Sequence, residues 1–358
     1  MLRVFKTWME RYFADEEAVL VAVLLIASFF VLVTLGVTLA PVITAIIIAF
    51  LMQGAVARLK AWGVNHTVAV SLAFLLLVSG LVLAFFFILP ALWHQSQNLV
   101  KETPRMLGEG RDLLLLLPER YPSIITALEV ENLISLAQAR LGQLGQSILS
   151  FSLTQIPILV AFGIYVVLVP ILVFFFLKDS EQMLRWLGNM LPRERPVMTQ
   201  IWREMNQQIA NYVRGKFIEI VIIACISSIA FTVLGLNYAL LLGLMVGLSV
   251  LIPYIGAVVV TLPVAAIGFF QWGWSSELLY VMLAYAVVQI LDGNVLVPVL
   301  FSEAVNLHPV AIIMAVLVFG GLWGFWGVFF AIPLATLFNA VLNAWPTNGS
   351  MSEEEVEE

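Results

Sequence analysis

The stretch Gln289-Ile-Leu-Asp-Gly-Asn-Val-Leu-Val-Pro298 decides how the rest of this chain must be arranged. It places a carboxylate, a glycine, an amide and a proline inside a long apolar region. Beyond Lys216 the chain contains no Lys or Arg, so Asp292 has no basic partner near it in sequence. Because an ionised side chain at the centre of a bilayer costs roughly 2.5–3.5 kcal/mol on insertion scales, such a residue is a candidate functional group.

The composition indicates that this stretch lies in a membrane. Hydrophobic residues make up 62% of the chain and charged residues 11%, against roughly 25% charged residues in soluble domains. Several apolar runs reach the roughly 20 residues that a spanning helix needs, whereas a closed barrel would show short alternating strands. The sequence therefore predicts an all-α, polytopic integral membrane protein with about eight spans and with broken or re-entrant segments in its C-terminal half.

Apolar runs and charges divide the chain into six parts. These are 1–90 with three spans and a break at Pro41, 91–155 with extracytoplasmic amphipathic helices, 156–177 with a fourth span, 178–216 with cytoplasmic amphipathic helices, 217–345 with the C-terminal membrane region, and 346–358 with an acidic, disordered tail. Two apolar segments, 238–270 and 309–342, contain Gly and Pro and exceed the length of one span. Each is expected to be a helical hairpin or a single broken helix.

The orientation follows from Lys and Arg in short segments, which favour the cytoplasm. The N-terminus carries three such residues, the 58–66 loop two and the 178–216 segment seven. A cytoplasmic N-terminus followed by four spans places all three segments on the cytoplasmic side, and eight spans place the C-terminus there as well.

An apolar stripe at helical spacing runs through the 178–216 segment. Its members are Met198, Ile201, Trp202, Met205, Ile209, Tyr212 and Val213. The stripe predicts a helix that packs on the membrane domain or on a neighbouring subunit. A dedicated docking helix for a partner protein is the alternative.

Two Gly/Pro-interrupted segments flank Asp292, and secondary transporters use such broken helices to bind ions or substrate at mid-membrane. Pro253 would free the carbonyls one turn before it, and Tyr254 adds a phenol. We interpret the polar groups as a path for a small hydrophilic solute or a cation, with structural kinks as the alternative. The candidate site residues are Asp292, Asn294, Gln289, Gly293, Pro298, Pro253, Tyr254, Gly256 and Glu303.

Three acids have competing interpretations. In one interpretation Asp292 is neutral, because desolvation disfavours its charged form, and it exchanges a proton during transport. In the other it stays ionised in water or beside Na⁺. Glu219 follows Arg214 and Lys216 and is expected to form an interfacial salt bridge rather than to act in transport. Glu303 is a solvated loop acid by default, with a gate or ion-binding role as the alternative.

Enzymatic functions find little support in the sequence. The chain contains no GxxxxGK[ST] phosphate loop and no HExxH pair for zinc. Its single Cys225 excludes disulfides and cysteine-rich metal sites, and its charge pattern does not suggest nucleic acid. We therefore expect no catalytic residue, no metal site and no cofactor beyond a possible coupling ion, Na⁺ or H⁺.

Several motifs resemble those of the autoinducer-2 exporter family, and within it those of the PerM-type permeases of Gram-negative bacteria. The similar stretches are Val250–Gly256, Gln289–Pro309, Phe319–Pro333, Phe174–Asp179 and Met205–Gly215. The resemblance implies an inner-membrane transporter with about eight spans that forms a homo-oligomer. Some family members are linked to export of autoinducer-2 and others to Na⁺(Li⁺)/H⁺ antiport, so the cargo stays open.

Two functions therefore compete. The first is a secondary transporter that contacts the lipid bilayer and a small polar solute or cation, with Asp292 as its charge-bearing site. The second is a membrane scaffold that binds other proteins through the 91–155 and 178–216 helices.

Overall fold

A computed structural model of the chain describes residues 16–120, 156–192, 195–301 and 308–344, together with the helical residues 132, 135, 136, 139 and 143. The regular elements in these ranges are helices, which confirms the all-α prediction. They are α1 (Glu16–Ala61), α2 (His66–Leu83), a π-helical segment (Ala84–Ile88), α3 (Leu89–Arg120), α4 (Ile156–Lys178), α5 (Ser180–Asn189), α6 (Pro196–Val233), α7 (Ala239–Ser249), α8 (Ile255–Trp272), α9 (Ser276–Leu291), a second π-helical segment (Asp292–Leu296), α10 (Val297–Phe301), α11 (Pro309–Trp323), α12 (Phe325–Phe329) and α13 (Ala331–Ala344).

Six helical stretches in the described chain are long and apolar enough to cross a membrane. They are Val19–Gly36, Thr38–Ala61, His66–Asp112, Pro196–Val233, Ile255–Trp272 and Ser276–Phe301. A seventh is added if α4 and α5, which are bent by 76°, count as one span. The chain is thus a multi-pass membrane protein, with six or seven such stretches where the sequence predicted about eight spans.

The lower number has a geometric reason. Helices α7, α11 and α13 contain 11, 15 and 14 residues, and at 1.5 Å per residue they measure about 16–22 Å. The hydrocarbon core of a bilayer is about 30 Å thick. These apolar helices are therefore too short to count as complete spans.

Helix α1 continues through Pro41, where the sequence predicted a break between two spans. The Glu17 carboxylate accepts a hydrogen bond from the Met198 amide at 2.7 Å, and Arg214 Nε donates one to the Phe50 carbonyl at 3.3 Å. A straight helix would separate Glu17 from Phe50 by about 50 Å, whereas Met198 and Arg214 are about 24 Å apart along α6. Helix α1 must therefore bend, and Pro41, which lies between the two contacts and lacks an amide proton, permits the bend.

The apolar stripe of α6 packs inside the chain. Ile201 and Met205 are buried in one cluster with Val21 of α1 and Ala340 of α13. Trp202 is the exception, since 55% of its surface is exposed. The first half of α6 is thus a packing helix of the membrane domain, as the first sequence interpretation held.

The 238–270 segment is a helical hairpin. Gln271, at the end of α8, accepts a hydrogen bond from the Asn237 amide and donates one to the Gly235 carbonyl, both at 2.8 Å. At the opposite end, Gly256 lies against the carbonyl of Ser249. Helices α7 and α8 therefore run antiparallel, with the residues around Pro253 at the tip.

The 309–342 segment also reverses direction. Gly324 has φ +58°, a conformation that favours glycine, and it lies between α11 and α12. Gly327 then lies against the Phe319 carbonyl, and Ala331 is buried in one cluster with Ala315. Ile252 from the tip of the α7–α8 hairpin packs against this cluster, so the two hairpins meet.

Some sequence predictions lie partly outside the described residues. Helix α3 follows α2 without an interruption and extends to Arg120, so the helix of the third span runs past Pro90. Most of 121–155, the basic residues of the N-terminus and the 346–358 tail fall outside the described ranges. The six-part division of the chain and the orientation of its termini stay predictions.

Candidate functional site

Helices α6 and α9, the hairpin tip and the start of α11 meet around a cavity of about 530 Å³, which we call the central cavity. Its walls combine apolar side chains with a few polar ones, which is typical of small-molecule sites. The lining residues that concern function are Lys216, Glu219, Ser249, Pro253, Tyr254, Gln289, Asp292, Gly293, Pro298 and Phe301.

Lys216 and Glu219 form a buried ion pair on the wall of the central cavity. The Lys216 Nζ and Glu219 Oε2 atoms are 2.8 Å apart, and the two side chains are 5% and 2% exposed. The same ammonium donates a hydrogen bond to the Val250 carbonyl at 2.9 Å and lies 5.3 Å from the centre of the Phe301 ring. Lys216 thus connects α6, the hairpin tip and α10. These contacts stabilise a charge that alone would cost several kcal/mol to bury.

Asp292 faces the same cavity from the second π-helical segment. The Val297 amide donates to the Asp292 carbonyl, five residues earlier, so the helix widens here, and such widening is frequent at functional sites. Asp292 Oδ1 is shielded from solvent and accepts no hydrogen bond from the described residues. Lys216 is near enough to act on Asp292 electrostatically. An unpaired buried carboxylate oxygen is costly, and a bound polar ligand would remove that cost.

The hairpin tip brings backbone polar groups to the cavity. Pro253 lies in the break between α7 and α8, and the Ile255 amide closes a tight turn on its carbonyl at 2.7 Å. Tyr254 has φ +64°, which for a residue other than glycine stores strain of about 1–3 kcal/mol. Strained backbone of this kind clusters at ligand sites.

The structure brings most of the predicted site residues together. Asp292, Gln289, Gly293, Pro298, Pro253 and Tyr254 all line the central cavity.

The other three predicted residues are placed differently. The Asn294 side chain is exposed and donates to the Ile290 carbonyl at 2.9 Å within its own helix. Gly256 packs behind the tip, and Glu303 lies outside the described residues. The chain before Pro298 is widened into π-helical geometry and not broken. A proline has no amide proton, so it leaves a carbonyl of the preceding turn without a hydrogen-bond donor. Local π-helical geometry can supply that carbonyl with another donor.

The sequence predicted a salt bridge of Glu219 beside Arg214 and Lys216 but placed it at the membrane interface, whereas the structure forms the Lys216–Glu219 pair in the wall of the central cavity. The available signal was that Lys216 is the last cation of the chain and stands three residues before Glu219, one helical turn away. That spacing alone does not distinguish a membrane surface from a buried cavity. In the described ranges, no group of three or more His, Cys, Asp or Glu side chains could hold a metal ion.

The glycines of the site allow a matched test. A Cβ atom at Gly256 would overlap the Ser249 carbonyl, whereas one at Gly293 would meet nothing within 4 Å. We expect Gly256→Ala to separate α7 from α8 and to lower stability by about 1–3 kcal/mol, the usual range for overpacking. Gly293→Ala should behave like wild type. Thermal denaturation in detergent, followed by size-exclusion chromatography, measures both variants, and equal stability of the two would contradict the packing described here.

A comparison with known protein families finds one family model that matches nearly all of the helical region. The model of the family described as "AI-2E family transporter" matches residues 18–347, a range that contains every lining residue of the central cavity. The chain is 45% identical over 354 residues to "Putative permease PerM" of Escherichia coli (strain K12), covering 99% of this chain and 100% of that protein. It is 22% identical over 304 residues to "AI-2 transport protein TqsA" of the same strain, covering 84% of each chain.

Proposed function

The chain belongs to the AI-2E transporter family, and from this membership we infer that the protein is a membrane transporter. We propose that it moves a small, polar, hydroxyl-bearing solute of the autoinducer-2 kind across the bacterial inner membrane. The observation that carries this proposal is the buried Lys216–Glu219 pair in one cavity with Asp292, whose Oδ1 has no partner in the described chain. The relative TqsA, which is named an AI-2 transport protein, supports the cargo class.

A hydroxyl-bearing solute suits the central cavity better than a bare cation. A hydroxyl group can both donate and accept hydrogen bonds, and the cavity offers it the Asp292 carboxylate and the Gln289 carboxamide. The volume of about 530 Å³ lies in the range of small organic ligands. A Na⁺ ion would also face the Lys216 ammonium, which repels it. No observation on the described residues favours Na⁺(Li⁺)/H⁺ antiport.

In this proposal the polar side chains of the cavity have separate roles. Asp292 is the charge-bearing site, and Gln289 and Tyr254 are polar ligands of the solute. Lys216 holds the hairpin tip through the Val250 carbonyl while it balances Glu219. If transport is coupled to H⁺, Asp292 is the group that would take up the proton.

The scaffold alternative is less well supported. On α6, the stripe that a partner protein would use is occupied, because Ile201 and Met205 are covered by Val21 and Ala340 of the same chain. The distribution of Lys and Arg supports a cytoplasmic N-terminus, and an even number of spans would place the C-terminus on the same side. A homo-oligomeric assembly stays an expectation.

Flux of autoinducer-2 in reconstituted vesicles tests the proposal. Purified protein should move autoinducer-2 down its gradient, and Gln289→Leu should lower the initial rate about tenfold, because one hydrogen bond contributes about 1.4 kcal/mol. Gln182→Leu, the same change at an exposed position of α5, should leave the rate unchanged. Vesicles that move Na⁺ or H⁺ but not autoinducer-2 would overturn the proposed cargo.

A further inference from the structure

A second polar cavity, of about 510 Å³, lies at the opposite end of the α7–α8 hairpin, and we call it the peripheral cavity. Its walls come from α3, from the loop between α6 and α7, and from the end of α8. The lining residues are Gln95, Asn98, Lys101, Glu102, Arg105, Met106, Asn237, Tyr238, Ile267, Phe270 and Gln271. Such a concentration of charges and amides does not fit the hydrocarbon core of a bilayer, so this end of the hairpin lies at a membrane surface.

The wall of the peripheral cavity is held by hydrogen bonds to two glutamines. Gln95 accepts from the Leu241 amide at 2.9 Å and so binds the start of α7. Gln271 accepts from the Asn237 amide and donates to the Gly235 carbonyl, which holds the loop before α7. Tyr238, in the same loop, has φ +60° although it is not glycine, and residues held in this conformation are frequent at ligand sites. The cavity is therefore preorganised without a ligand.

The remaining polar groups indicate the chemistry of a ligand. Asn98 and Asn237 offer amide donors and acceptors, and Ile267 and Phe270 supply an apolar surface. Burial raises the pKa of the Tyr238 hydroxyl above its usual value, and the negative charge of nearby Glu102 acts in the same direction. Tyr238 thus keeps its proton at neutral pH and can donate a hydrogen bond. Among the charged residues of the lining, Arg105 pairs with Glu102 at 2.8 Å and Lys101 is exposed. The amides, the phenol and the apolar surface that remain suit a small neutral solute with several hydroxyl groups.

The two cavities lie in series along one helix. Ala257 of α8 lines the central cavity and Gln271 lines the peripheral one, which separates them by about 21 Å along the helix axis. Two buried apolar side chains, Val260 and Val264, fill the hairpin between them. A transporter that works by alternating access must let its solute reach the central site from each face in turn.

We propose that the peripheral cavity is a docking site for the transported solute on one face of the membrane, which the solute occupies before or after it binds in the central cavity. This inference rests on the proposed function, since it takes the solute to be the same hydroxyl-bearing one. It assigns solute contact to Asn98, Asn237 and Tyr238, for which the sequence offered no indication.

The test measures transport from each face separately. Vesicles are sorted by the accessibility of a C-terminal tag, and the initial rate of autoinducer-2 movement is recorded against its concentration on either side. The double variant Asn98→Leu/Tyr238→Phe should raise KM about tenfold for autoinducer-2 added on the side of the peripheral cavity, and less than about twofold from the other side. Tyr280→Phe, the same loss of a hydroxyl at an exposed position of α9, should change neither value.

Three outcomes separate this inference from the proposed function. A one-sided rise in KM supports the peripheral docking site. Unchanged KM on both sides, or an equal rise on both sides, overturns it while wild-type flux still supports the proposed function. Absence of autoinducer-2 flux in the wild type overturns both. Equilibrium binding of autoinducer-2 in nanodiscs gives a second measurement. The Asp292→Asn/Gln289→Leu variant should still bind autoinducer-2 at the peripheral cavity, and adding Asn98→Leu/Tyr238→Phe to that variant should abolish this binding.

Discussion

Asp292→Asn is expected to fold and insert normally and to transport about 10 to 150 times more slowly than wild type, since a hydrogen bond to a charged group contributes about 1.5–3 kcal/mol. The substitution keeps the size of the side chain but removes the negative charge that faces the central cavity. The carboxamide also presents one acceptor oxygen where the carboxylate presents two. Initial rates of autoinducer-2 flux in vesicles, normalised to the amount of reconstituted protein, measure the effect.

The control for this variant is Glu277→Gln. Glu277 is an exposed acid in the first turn of α9, the helix that ends just before Asp292, and it lies outside both cavities. The two variants therefore undergo the same chemical change, a carboxylate replaced by a carboxamide. Wild-type flux in Asp292→Asn, or an equal loss in Glu277→Gln, would remove Asp292 from the proposed site.

Breaking the Lys216–Glu219 pair is expected to be the most destabilising change in the cavity. Lys216→Met and Glu219→Met should each lower the free energy of unfolding by about 3–5 kcal/mol, because each leaves one buried charge without its partner. The double variant Lys216→Met/Glu219→Met should recover most of that loss, since apolar side chains of similar volume often replace a buried pair at little cost. Thermal denaturation of the four proteins in detergent gives the coupling between the two sites.

The same four proteins also separate stability from function. The double variant should be stable but should transport slowly, because Asp292 then has no cation beside it in the cavity. Lys178→Met, at an exposed position of α4, controls for the loss of a lysine and should affect neither property. A double variant that is no more stable than the weaker single variant would show that the two charges do not stabilise each other.

The buried Lys216–Glu219 pair also changes how Asp292 is understood. In the sequence Asp292 stands far from every Lys and Arg, which made it an isolated acid in an apolar region. In the structure Lys216 lines the same cavity, although more than seventy residues separate the two along the chain. The cavity therefore combines one ammonium and two carboxylates, and a solute that carries both donors and acceptors can contact either kind of group.

The sequence by itself determined the class of the protein, the family and the polar stretch around Asp292. Hydrophobicity and the family motifs are properties of contiguous residues, so they can be recognised without knowing how distant segments pack. Pro253, Tyr254 and Gln289 could be chosen as candidates for the same reason, because Pro, Gly and polar residues interrupt an apolar run locally. Their role in transport stays a prediction.

Only the tertiary structure decided which of these groups face one another. It showed that 238–270 and 309–342 are hairpins, that α1 continues through Pro41, and that Asn294 bonds to its own helix. It also placed Lys216 and Glu219 in the cavity with Asp292. The physical reason is that a buried charge is stable only where distant segments supply its partners, and the Val250 carbonyl and the Phe301 ring reach Lys216 only after the helices have packed.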